Sequence, residues 1–145
     1  MITMTIPRLK TVLLCNGLFA GSSGVICMLF ASDLQSLISP ALPTWIYTYL
    51  GIMLIGFAAF VFFVSRQATP VRALLMMIFA GDLGWILGSI ALIILAPDWF
   101  STTGLVIKIA LAIVVAEFAW LEYLGLKLLS AGAIKPQSDQ SMAGL

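Results

Sequence analysis

One amide and four ionisable side chains stand well inside the apolar runs of this 145-residue sequence: Asn16, Asp82, Lys108, Glu117 and Glu122. The one best placed to do chemistry is Asp82, in the stretch Ala80-Gly81-Asp82-Leu83-Gly84-Trp85-Ile86-Leu87-Gly88. A charged side chain at the centre of a membrane helix costs roughly 2.5–3.5 kcal/mol on insertion scales, so such a residue marks a site or a partner. At 1.5 Å per helical residue, Asp82 falls about 16 Å from the basic end of its span and Glu117 about 15 Å from the end of its own, taken at Lys127. Asn16 and Glu122 fall lower, at roughly 8–10 Å. Equal depth points to a proton-linked or cation-linked site made by Asp82 and Glu117, with Asn16 as neutral partner and one proton shared between the acids. The structural alternative is a protonated acid bonded to a neighbouring helix. Trp85 and Trp120, about a turn beyond Asp82 and Glu117, offer indole N–H donors for it. Glu122 is expected to reach water and to meet Lys127 or Arg72.

Other chemistries lack their residues. The sequence contains no histidine, which removes the commonest general base and the usual zinc and haem ligands. Cys15 and Cys27 lie about 18 Å apart along one helix, too far to pair with each other there. There is no Cys-x-x-Cys, phosphate loop or nucleophile–base pair. The expectation is therefore a non-enzymatic protein with no catalytic residue, no metal and no cofactor. A formal net charge of +1 without a basic cluster argues against nucleic acid.

The elements that must position these groups follow from composition. Hydrophobic residues make up 62% of the chain and charged ones 9%, against about 45–50% and about 25% in soluble domains. Lipid must solvate most of the surface. Spans are expected at about 9–31, 45–64, 71–95 and 104–129, which uses the length at about 20 residues per crossing. The fold class is all-α, an integral membrane four-helix bundle over residues 1–129, followed by a disordered cytoplasmic tail over 130–145. Leu34, Leu37, Ile38 and Leu42 share a helical face, which predicts a short interfacial helix between the first two spans. Arg8, Lys10, Arg66, Arg72, Lys127 and Lys135 gather at one set of ends, whereas the opposite loops carry Asp33 and Asp98. This asymmetry predicts both termini in the cytoplasm and a multi-pass protein of the cell inner membrane. Lys108, near the opposite face, can snorkel.

Gly17-xxx-Gly21 and Gly84-xxx-Gly88 are small-xxx-small spacings, expected to pack helices within the chain or between copies in a homo-oligomer. Asn16-Gly17-Leu18-Phe19 and Asp82-Leu83-Gly84-Trp85 occupy comparable places in the first and third spans, as a duplicated two-span hairpin would arrange them.

Asn16, Gly17, Gly24, Arg72, Asp82, Trp85, Gly88 and Ser89 form a pattern: Asn-Gly in the first span, then Asp-x-x-Trp with Gly-Ser in the third. In this respect the chain, over about residues 9–129, resembles a widespread group of small bacterial four-span membrane proteins. The resemblance implies the fold and no activity. The leading expectation is a small accessory or binding unit in the bilayer. Its apolar interior would hold a lipid-like ligand or a partner protein's helix, with Asp82 as the buried polar anchor. The alternative is a proton-coupled transporter or channel, working as a homo-oligomer through Asp82 and Glu117.

Overall fold

A computed structural model describes residues 4–132; the expected tail over 130–145 lies outside them except for its first three residues. The order of elements is α1 (Ile6–Leu29), α2 (Ala31–Ile38), α3 (Trp45–Arg66), α4 (Arg72–Leu95), a single 3₁₀ turn (Pro97–Trp99) and α5 (Thr102–Gly132). Helices α1, α3, α4 and α5 are long and apolar enough to cross a membrane. Only 17% of the most apolar window of α4 or α5 is buried by protein, so the remaining surface suits lipid. The chain is an all-α, multi-pass membrane four-helix bundle.

The boundaries have local causes. Thr5 accepts a hydrogen bond from the Arg8 amide, and Pro7 occupies the first turn of α1, where its missing N–H costs nothing. Pro70 falls between α3 and α4, and Pro97 begins the turn that follows α4. Gln67 holds the α3–α4 connection by accepting from the Val71 amide at 3.1 Å. The expected interfacial helix is α2, which ends four residues before Leu42. It is tied to the start of α5: the Ser101 amide donates to the Ile38 carbonyl at 2.9 Å. Gly104 lies so close to that carbonyl that no side chain fits there. The last span runs three residues past the expected end, to Gly132.

Packing divides the bundle into two hairpins. Helix α1 packs chiefly on α3, and α4 on α5; α1 also reaches α5, while α3 and α4 touch little. The buried residues of α1 recur at helical spacing: Leu9, Leu13, Asn16, Gly17, Ala20 and Gly24. At the terminal end, Leu9, Leu13, Val61, Val64, Leu75, Ile78 and Leu126 make one apolar cluster. At the far end, the backbones of α1 and α3 come together at glycine. A Cβ on Gly24 would stand 2.8 Å from the Gly51 carbonyl oxygen, and one on Gly51 would stand 2.7 Å from that of Gly24.

The two glycine spacings of the sequence part company. A Cβ on Gly17 would meet Phe62 of α3 at 3.2 Å, and one on Gly21 would meet Ala58 at 3.4 Å. Gly84 and Gly88 have nothing within 4 Å and open outward from α4. Gly24→Leu should therefore lower the thermal unfolding midpoint in detergent, by the equivalent of about 1–3 kcal/mol or more for overpacking. Gly88→Leu should leave the midpoint close to wild type. Equal midpoints for the two variants would contradict the glycine contact between α1 and α3.

Candidate functional site

Helix geometry places the polar groups. Asn16 is ten residues beyond the first residue of α1, Asp82 ten beyond that of α4, and Glu122 ten before the last of α5. All three therefore lie about 15 Å from the terminal ends of their helices. Each also belongs to its helix's inward face. Asp82 follows Leu75 and Ile78, and Glu122 follows Val115 and Ala119, at steps of three and four.

The three meet. Asn16 Nδ2 donates to Asp82 Oδ2 at 2.7 Å and to Glu122 Oε1 at 2.8 Å. An amide nitrogen carries two hydrogens, so both are spent, one on each acid. The cluster is closed: Asn16 is 2% exposed, Asp82 5% and Glu122 0%. Glu122 Oε2 is buried with no hydrogen-bond partner. Two groups that both carry negative charge around one amide would repel across a low dielectric. The geometry suits a pair that holds a proton.

The structure does not bring Asp82 and Glu117 together. Glu117 is exposed on α5, five residues before Glu122 and so about 140° around the helix from it. Glu122 takes the inward position and meets neither Lys127 nor Arg72. Lys127 instead places Nζ 4.8 Å from the Tyr123 ring centre, and Arg72 Nε donates to Ser130 Oγ at 3.0 Å. The tryptophans also do other work. Trp85 lies beside Lys108, whose Nζ is 6.0 Å from its ring centre and 5.1 Å from that of Phe100. Trp120 is 60% exposed and packs on Tyr123 at 5.9 Å. Among the described residues, no hydrogen bond joins either indole to a carboxyl.

No family model matches the chain, and no curated protein or solved structure matches it either. The site must be read on its own geometry. That geometry is a polar clasp: one amide from the first hairpin closed on two carboxyls from the second. Neither of two open grooves on the surface is lined by Asn16, Asp82, Glu117 or Glu122. The clasp is built to hold helices in register.

Removing the donor strands both acids. Asn16→Leu removes two interhelical hydrogen bonds and should destabilise the bundle by about 1–4 kcal/mol, at roughly 0.6–2 kcal/mol for each such bond in a membrane bundle. Glu117→Gln should not lower stability, since Glu117 is exposed on α5 and takes no part in the clasp. Reversible unfolding in mixed micelles of detergent and denaturant measures both, and a neutral Asn16→Leu would remove the clasp from the account.

Proposed function

We propose that this protein is a small non-enzymatic unit of the bacterial inner membrane that binds a lipid-like ligand or a partner helix against its outer surface. The observation that carries this reading is the closed Asn16–Asp82–Glu122 cluster. Acids used for conduction need a route to solvent. These are bonded inward and walled toward the terminal end by Leu9, Leu13, Leu75 and Ile78. Because the interior is filled at this level, a ligand is best accommodated on the faces between helices. The clasp keeps those faces in shape. Arg8, Lys10, Arg66, Arg72 and Lys127 all gather at the ends shared by the chain termini. This distribution supports cytoplasmic termini. The proposed kinship with small bacterial four-span proteins rests on the pattern of Asn16, Asp82 and Trp85 alone. The outward glycines Gly84 and Gly88 are compatible with self-association.

A second reading has one observation in its favour. Two carboxyls sharing one donor, with Glu122 Oε2 unbonded, form a group that could take up and release a proton. On that reading the protein is a proton-coupled transporter or channel, working as a homo-oligomer through Asp82 and Glu122 in place of the expected Asp82 and Glu117.

Liposomes separate the two. Wild-type protein reconstituted with an internal pH dye is expected to pass protons no faster than empty vesicles under an imposed gradient. Asp82→Asn is expected to leave that baseline unchanged while lowering the unfolding midpoint. Proton flux above baseline in wild type that Asp82→Asn abolishes would overturn the binding-unit reading in favour of the transporter.

A further inference from the structure

Between α4 and α5 runs an open groove of about 570 Å³, inside the range of small-molecule clefts, roughly 300–1,000 Å³. Its two ends differ in chemistry. At the terminal end stand Arg72, Lys127 and Ser130. The Arg72 guanidinium is fixed against α5 by its bond to Ser130, and the Lys127 ammonium is held beside the Tyr123 ring. Among the described residues, neither cation is paired with a carboxylate. From there Met76, Phe79 and Leu83 continue the wall along α4 for about 10 Å.

We propose that this groove is a site for an anionic phospholipid. The headgroup phosphate sits among Arg72, Lys127 and Ser130, and one acyl chain lies along Met76, Phe79 and Leu83. The inference rests on the binding-unit reading and names the class of its ligand. Charge decides the occupant. A second copy docking by the same face would set Arg72 and Lys127 against their own counterparts, and like charges resist that. A phosphate offers the acceptor oxygens that a guanidinium fork and an ammonium bind best. The cations also stand where the helices leave the bilayer, which is the level of the headgroups. A groove at the same end of the first hairpin shows what is particular here. It too has a cation pair and a serine, Lys10, Arg66 and Ser65, but of apolar side chains only Leu14 lines it. It offers a phosphate contact without a wall for the chain.

The probes are phosphatidylglycerol and phosphatidylcholine of matched acyl chains, added to the full-length protein in detergent and read by native mass spectrometry. Wild type should retain phosphatidylglycerol in preference to phosphatidylcholine. The double variant R72Q/K127Q should lose that preference by about ten-fold or more, as expected for two cations at the membrane surface. K10Q/R66Q should keep it. Unfolding midpoints of both variants should stay close to wild type, since neither touches the Asn16 clasp and R72Q/K127Q gives up only the exposed Arg72–Ser130 bond and the Lys127–Tyr123 contact. Equal retention of the two lipids by wild type, or equal loss in both double variants, overturns the assignment of this groove and leaves the lipid-binding reading standing. Retention of neither lipid by wild type overturns the groove and the lipid reading together. Full displacement by glycerol phosphate, which has no chains, overturns the role given to Met76, Phe79 and Leu83.

Discussion

The arrangement of this protein depends on how one amide bonds two acids at once. In hydrocarbon there is no water to complete a carboxyl group's hydrogen bonds, so every acid inside the bundle must find its donor in another helix. Asn16 supplies both of its N–H groups, and in doing so ties α1 to α4 and α5 at one depth. Lipid tails are as apolar as leucine and offer little reason for helices to associate. The polar contact supplies specificity that apolar packing alone lacks. It fixes rotation as well as depth, because each of the three residues must face inward.

Helix α3 takes no part in the clasp and is held by shape. At one end its Gly51 lies against Gly24 of α1; lower down, Phe62 fills the space left by Gly17. At the same level its Val61 and Val64 join the cluster of Leu9, Leu13 and Leu75. The bundle thus uses two kinds of adhesion. Close backbone approach joins α1 to α3, and hydrogen bonding, added to the apolar cluster, joins the two hairpins. The first depends on the absence of side chains and the second on the presence of three particular ones.

The four spans were legible in the sequence because apolar length is a strong signal and the basic residues other than Lys108 gather at the ends. Asn16 and Asp82 were legible as interior groups for the same reason. Glu117, rather than Glu122, matches the depth of Asp82 only if the last span ends at Lys127. Helix α5 continues to Gly132, which moves Glu122 up to the level of Asp82 and carries Glu117 past it. The signal that finds Glu122 is angular: Val115, Ala119, Glu122 and Leu126 recur at steps of three and four, and Glu117 is out of phase. The contact between Gly24 and Gly51 carries no spacing motif, since its two members sit on different helices. Gly84-xxx-Gly88 has the spacing but faces outward, because the buried side of α4 is set by Leu75, Ile78, Asp82 and Ser89.

The split into hairpins bears on how the chain is made. Domains and segments emerge from the ribosome in order, amino terminus first. The donor Asn16 belongs to the opening pair of spans, and both acids belong to the closing pair. While α1 and α3 enter the membrane, only a neutral amide needs shelter. By the time the first carboxyl arrives with α4, its partner is already seated. The order of residues along the chain thus spares the nascent protein a stage at which an acid waits in lipid for a donor still to be synthesised.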